Sequence, residues 1–414
     1  MLTARLTSRD VRRVNRSTVL HAIYRAGAIS RLQLSQSCGL SVATVTNVVT
    51  ELLAEGILLE AGLEASDGGR PRVLLRLNRE YGYFLGVEIG ETDVVVEIFD
   101  LTLRNLRTAH FFLYGEENHP QKAVQYVIEG VTSLLTALAI PAEKVLGMGL
   151  GVPGLVDHAD NDAVLAPAWH WQRVPLKALI GQSLRIPLFL DNGAKTMALA
   201  EMHKREAVTR DETMIVLNLG TGVGAGIIYE GTLYRGKTNS AGEWGHTVVA
   251  LDGAPCRCGH RGCLEAYIGA TAIIRRFRES ASSSLLSSAE DEMQALTAIL
   301  AAAQHGDGAA IEVLHDTAHY LGAGLANLVN LFNPQYMILG GWVGTLLGPY
   351  LLSQVRQCVA RYALAAPFEA TQILVSQLGK DAGSIGAALL AHESFLTSDI
   401  PTNDTQQSIS LATL

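Results

Sequence analysis

Long apolar runs, charge and sulfur are all scarce in this chain. Of its 414 residues only 17% are charged, 6% are aromatic and five are cysteine. No apolar run reaches the roughly 20 residues of a membrane-spanning helix, which argues against an integral membrane protein. The opening stretch, MLTARLTSRDVRRVNRS, lacks the apolar core of a secretory signal, so a cytoplasmic location is expected. The cysteines are too unevenly spread for a disulfide framework. Cys256, Cys258 and Cys263 fall within eight residues, while Cys38 and Cys358 stand alone, and that clustering points to metal. Apolar residues, at 48%, and 40 glycines are plentiful. A chain of this length and composition is expected to build two or three packed domains rather than one core.

Charge divides the chain unequally. Up to Arg79 there are eleven arginines against six carboxylates, a surplus of +5, which leaves −13 on the remainder of a chain whose formal total is −8. A small basic head on an acidic body suggests that only the head meets a polyanion. Within residues 1–80, Val19, Leu20, Ile23 and Tyr24 recur at helical spacing. Ser30 and Gln33 form a capping-box pattern ahead of a short helix that Gly39 ends. Ser41 then caps a longer helix that Gly56 ends. Val45, Val48, Val49, Leu52 and Leu53 make its apolar face, with Thr44, Thr46, Asn47 and Thr50 mostly opposite. Two β-rich runs flank SDGGRPR, giving a hairpin whose tip bears Arg70 and Arg72. The order predicts a winged helix-turn-helix. Ser41, Thr44, Thr46 and Asn47 would face the major groove, and Arg70 and Arg72 the backbone or minor groove.

The body, from residue 81, carries an internal repeat. YGYFLGVEIGETDVVVEIFDLTLRNLRTAHFFL reads as strand, glycine turn, strand, turn, strand, and ETMIVLNLGTGVGAGIIYEGTLYRG repeats it. Each unit is followed by helical sequence and then by a buried-looking strand ending in glycines, KVLGMGLGVPGLVD and YMILGGWVG. Duplication of this kind predicts two related α/β lobes facing a cleft. The lobes are expected at 81–190, completed by about 383–395, and at 191–382, with a polar tail over 396–414. Cys256, Cys258 and Cys263 on one glycine-rich loop, with His246 upstream, suit a closed tetrahedral structural zinc site. His260, inside the loop, is the rival fourth ligand. Trp169 and Trp171 fit either an apolar platform for a ligand or the core.

Taken together, C-x-C-G-x-x-G-C-x-E, the upstream G-E-x-G-H, the GVPGLVD turn, the LNLGTGVGAGI hairpin and the ILGG strand end resemble the ROK family of repressors, open reading frames and sugar kinases. The resemblance implies a sugar kinase/actin-like ATPase fold behind the head, and sugar contacts from Asn192, Glu243, His246 and Glu265. One ring nitrogen of His246 would ligate zinc and leave the other for a sugar hydroxyl. Family kinases also need an Asp-x-Gly-Gly-Thr phosphate turn and a catalytic Asp after the Asn. Here the turn is Glu88-Ile89-Gly90-Glu91-Thr92, and Gly193 follows Asn192. Glu91 puts a side chain and a negative charge where backbone should approach phosphate, which argues against ATP. The second turn, Gly220–Gly226, does match the pattern. Asp191 lies roughly 6–7 Å away along an extended chain, too far to replace the missing base. The expectation is therefore a zinc-stabilised, catalytically inactive, sugar-responsive regulator, most simply a repressor. It would act as a homodimer or homotetramer on a palindromic operator. The alternatives are an active sugar kinase that also binds DNA, and a regulator that answers to a protein partner.

Overall fold

The structure, a computed structural model, describes residues 7–64, 71–113, 119–205, 212–280, 283–287, 289–379 and 382–398. The head begins with α1 (Ser8–Ala26), where the Thr7 hydroxyl accepts from the Asp10 amide and the Asp10 carboxylate accepts from the Thr7 amide at 2.9 Å. Next come β1 (Ile29–Ser30), α2 (Arg31–Cys38) and α3 (Val42–Ala54). The Ser30 amide and hydroxyl both donate to the Gln33 side chain, at 2.9 and 2.8 Å. Gly39 takes the left-handed conformation after α2, and the chain turns by 118° into α3. β2 (Leu58–Glu64) and β3 (Arg72–Leu77) form the wing hairpin, and β1 adds to it in the order β1-β3-β2. Arg70 lies outside the described residues.

Two five-stranded sheets make the body. In the first, β4 (Tyr83–Ile89), β5 (Asp93–Asp100) and β6 (Asn105–Phe112) run antiparallel. The chain then passes through α4 (Pro120–Ala137) to β7 (Val145–Val152), parallel to β4. A small sheet of β8 (Leu155–Asp157), β9 (Ala163–Ala166) and β10 (Trp171–Val174) and the short α5 (Leu176–Gly181) precede β11 (Leu188–Asn192), parallel to β7. The resulting order is β11-β7-β4-β5-β6. After α6 (Gly193–Lys204) the pattern repeats with β12 (Met214–Leu219), β13 (Val223–Tyr229) and β14 (Thr232–Leu233) as an antiparallel meander. A long loop leads into α7 (Glu265–Ile268), α8 (Ala270–Arg278), α9 (Glu292–Gln304) and α10 (Gly308–Phe332). β15 (Tyr336–Gly340) pairs parallel to β12, α11 (Gly341–Tyr362) and α12 (Ala365–Ala370) follow, and β16 (Gln372–Val375) pairs parallel to β15. The second sheet, β16-β15-β12-β13-β14, thus has the connectivity of the first.

The repeat extends to the helices, because β11 leads into α6 as β16 leads into α13 (Ala382–Thr397). These two helices pack against each other between the sheets, close enough that a Cβ on Gly386 would lie 1.7 Å from the Thr196 carbonyl oxygen. Gly149 in β7 plays the same part against α13, where a Cβ would reach within 1.7 Å of the Ala387 oxygen. Each lobe otherwise has its own apolar core.

Tertiary packing adds to the sequence reading at three points. Trp169 and Trp171 are buried in the first lobe's core, edge-on at 4.9 Å, and form no ligand platform. α13 continues into the segment expected as a polar tail, and Phe395 and Leu396 are buried. Finally, the head is joined to the body through packed side chains. Leu20, Ile23, Leu52 and Leu75 share one core with Phe84, Leu101, Ala391, Phe395 and Leu396. Among the described residues no single helix is long and apolar enough to cross a membrane.

Candidate functional site

The loop between β14 and α7 is shaped around its sulfur atoms. Isolated bridges, Val248 with Cys263 and Pro255 with Arg261, fold it back on itself. Gly262 sits at φ +75°, where a Cβ would meet the Ala250 carbonyl oxygen at 1.8 Å, so only glycine fits that crossing. As a result His246, Cys256, Cys258 and Cys263 bring one ligand atom each to within 4.8 Å of one another. The Cys258 and Cys263 sulfurs are 3.8 Å apart, and Cys256 Sγ is 3.7 Å from His246 Nδ1. A zinc–sulfur bond of about 2.3 Å makes the edge of a tetrahedron about 3.8 Å, so this donor set fits a four-coordinate zinc ion. His260 Nδ1 approaches Cys258 at 3.5 Å but does not join the group of four. Burial pushes the Cys256 and Cys263 thiols up. Burial also raises Cys258, but hydrogen bonds from His260, Cys256 and Cys263 outweigh it and hold that thiol down to about 6.

His246 turns Nδ1 to the sulfurs and leaves Nε2 3.9 Å from the Glu243 carboxylate. Burial raises Glu243, while His246 and Lys195 pull it back toward the charged form. On the other wall, β11 ends and α6 begins at Asn192. Its side-chain oxygen caps the helix by accepting from the Ala194 amide at 2.9 Å, and its amide donates to the Gly154 oxygen at 2.6 Å. One amide proton and one lone pair remain for a ligand. Glu265 is 7% exposed. One of its oxygens accepts from the Val223 amide at 3.0 Å, and the other lies 3.5 Å from the Cys256 sulfur.

Asp191 is fully buried, with an oxygen 2.7 Å from Arg235 Nη2. Its other oxygen accepts from the Asn239 side chain at 3.2 Å and from the Asn192 amide at 2.9 Å. Both oxygens of this carboxylate are therefore engaged by groups of the protein itself. Lys195, 1% exposed, donates to the Asn239 carbonyl and, at 3.3 Å, to its side-chain oxygen. Burial lowers the Lys195 ammonium, and Asp191 and Glu243 oppose that shift. Sequence reasoning overlooked Lys195, Arg235 and Asn239. The available signal was a lysine on the otherwise apolar face of GAKTMALAEM.

The two turns at the positions of the family's phosphate pattern, the altered one at Glu91 and the matching one at Gly220–Gly226, face each other. A Cβ on Gly222 in the second turn would lie 2.8 Å from the Glu91 carboxylate of the first. The Thr221 hydroxyl donates to Glu292, and the Arg257 guanidinium reaches the Thr221 carbonyl at 3.0 Å. The Glu88 side chain lies against the start of α13, where a Cβ on Gly383 would meet its carboxylate at 2.2 Å.

In the head, Ser41 caps α3 by accepting from the Thr44 amide at 3.1 Å, and the two hydroxyls lie 2.8 Å apart. The Thr46 hydroxyl donates to the Val42 carbonyl at 2.7 Å, and Thr46 and Asn47 are exposed. Arg72 opens β3 and lies 3.9 Å from Glu64. Arg12 and Arg16 of α1 pair with Glu51 and Glu55, so part of the head's positive charge is spent on fastening α1 to α3.

Residues 84–394 match the family model described as ROK family. The xylose repressor of Bacillus spizizenii is 30% identical over 386 residues, which span 93% of this chain and 97% of that protein. A crystal structure of a ROK family transcriptional regulator, described as a homolog of the E. coli MLC protein, aligns with a TM-score of 0.76 at 25% identity. That alignment covers 94% of this chain and 97% of the other. A ROK family glucokinase from Streptomyces griseus, crystallised with glucose and AMPPNP, aligns with a TM-score of 0.62 at 31% identity, over 75% of this chain and all of that one.

Proposed function

The chain belongs to the ROK family, and from that premise we propose that it is a sugar-responsive transcriptional regulator, a repressor, that binds its effector without phosphorylating it. The observation that carries the reading is the combination of a winged helix with a kinase-like cleft whose base position is empty. Gly193 follows Asn192, and the neighbouring carboxylate Asp191 is buried in an ion pair with Arg235. Sugar phosphorylation needs a carboxylate to take the hydroxyl proton, a step worth roughly 10²–10⁴-fold. ATP binding is opposed independently by Glu91 on the phosphate turn. The repressor relative and the regulator neighbour support the same reading.

In this reading residues 1–80 form the DNA-binding unit, with Ser41, Thr44, Thr46 and Asn47 facing the major groove and Arg70 and Arg72 the backbone or minor groove. The lobes, 81–190 with 383–395 and 191–382, bind a sugar or sugar derivative through Asn192, Glu243, His246 and Glu265. Glu265 contributes from the metal-loop side with the lone pairs that Val223 and Cys256 leave free. His246, Cys256, Cys258 and Cys263 would hold a structural zinc ion, which directs the free ring nitrogen of His246 toward Glu243 and the cleft. Two or four copies would place paired heads on a palindromic operator. Induction requires that the sugar bind the DNA-incompetent arrangement more tightly. The test is operator binding measured against a panel of sugars and phosphosugars. One of them should weaken binding by about tenfold or more, in the usual range of coupling between sites. Operator affinity that no member of the panel moves would overturn the sugar-sensor reading.

A further inference from the structure

Glu91 lies in the turn between β4 and β5 of the first lobe, and Arg257 lies in the metal loop of the second, between two of the clustered thiols. Their side chains meet across the cleft fork to fork. Arg257 Nη1 is 2.6 Å from one Glu91 oxygen and Nη2 is 3.1 Å from the other. The same Nη2 donates to the Thr221 carbonyl at 3.0 Å in the second glycine turn, and Nε lies 3.6 Å from Glu265. The pair is only partly exposed, 21% for Glu91 and 33% for Arg257, so water screens it incompletely. Two donors of the second turn also face carboxylates, the Val223 amide toward Glu265 and the Thr221 hydroxyl toward Glu292. The space beside Gly222 is therefore taken by this chain's own groups, Glu91, Arg257 and Glu265.

We infer that the Glu91–Arg257 pair is a resident latch between the lobes. The Glu91 carboxylate stands where an incoming phosphate would bridge the two glycine turns, and it ties the first lobe to the second turn and to the metal loop at once. The cleft then needs no nucleotide to close. Any change in the metal loop reaches the lobe-to-lobe geometry through Arg257, a positioning residue. The inference rests on the proposed function for the meaning of closure, which there is the signal passed to DNA, but the ion pair and its effect on the lobes stand without it.

A double-mutant cycle on the full-length, zinc-loaded chain tests it, with Glu91→Gln, Arg257→Gln and the double variant. The readouts are hydrogen exchange at residues 90–93 and 220–223 and small-angle scattering, with zinc content measured on each sample. Neither sugar nor DNA is added, so failure of the sugar reading leaves the result intact. Each single variant should exchange about tenfold faster in both turns and scatter as a more open particle, with the double variant no worse than either single one. Glu91→Gln keeps the side-chain shape and touches no metal ligand, so its effect reports the pair itself. Exchange and scattering unchanged in Glu91→Gln, or additive losses in the double variant, would overturn the latch.

Discussion

In the proposed reading, Gly193 is one of two features that leave a bound sugar unphosphorylated, the other being the altered glycine turn at Glu91. Glycine at 193 is not demanded by the backbone, since a Cβ would meet nothing closer than the Val152 oxygen at 3.8 Å. An aspartate therefore fits, and at the N-terminus of α6 its charge would be favoured by the helix dipole by about 0.3–1 kcal/mol. Gly193→Asp should fold with unchanged or slightly raised thermal stability, yet release no ADP when given sugar and ATP, because Glu91 still stands against Gly222 and Glu265 and Glu292 still take two donors of the second turn. Sugar-dependent ADP release from this variant would show that the turns still admit nucleotide. That Gly193 lacks a base was legible in the sequence beside the family pattern. That Asp191 is held by Arg235 and Asn239 was not, because those two residues lie more than forty positions away.

Among the elements, the metal loop and the last helix carry the sharpest expectations. The loop has no regular ladder of its own beyond two isolated bridges, and its cysteines and histidine come together only where it folds back. Metal binding is then coupled to the order of the loop and of α7, which begins at Glu265. Chelation should lower the melting temperature of the body by several degrees, on the order of 4 °C for each kcal/mol in a small domain and less in one this large. Added zinc should restore it, and a melting curve indifferent to both would argue against a structural metal.

On α13, His392 is 1% exposed, edge-on to Phe84 at 5.2 Å and beside Tyr24 at 4.6 Å. Burial holds it down to about 4, with Glu393 pulling the other way and His203 and His21 adding to the lowering. The folded form keeps the ring neutral, and the unfolded chain protonates it below its ordinary value near 6.5. Stability therefore falls as pH drops from about 6.5 to 4, by roughly 3 kcal/mol once fully developed. Glu393 and His21 hydrogen-bond across the head–body joint, which raises His21 and lowers Glu393. The His21 contribution is complete below about 6.5 and fades as pH rises through its raised value. The Glu393 contribution is present above its ordinary value near 4.5 and is lost below it. Melts across pH 4–8 should show His392→Leu flattening the acid limb while the loss at higher pH persists. An acid limb as steep in the variant as in the parent would exclude His392 as its cause.

At the scale of the whole molecule, periodicity and motif order in the sequence already determined the main parts. Apolar spacing in residues 19–53 marked the helices of the head, because a helix that buries one face must repeat every three to four residues. The paired glycine turns and their flanking strands marked the duplication, and the two sheets share one connectivity. The clustered cysteines marked the loop. Contacts between residues far apart in the chain leave no local pattern, and those only the tertiary structure decided. The choice of His246 over His260 depends on how a loop crosses itself. The burial of Trp169 and Trp171 depends on a neighbouring sheet. The joining of the head to α6 and α13 brings Tyr24 to His203, 179 positions away, and His21 to Glu393, 372 positions away. The pairing of Glu91 with Arg257, 166 positions apart, belongs with these. Composition and spacing record what each segment must bury, whereas an ion pair across a cleft exists only once both lobes have folded and met.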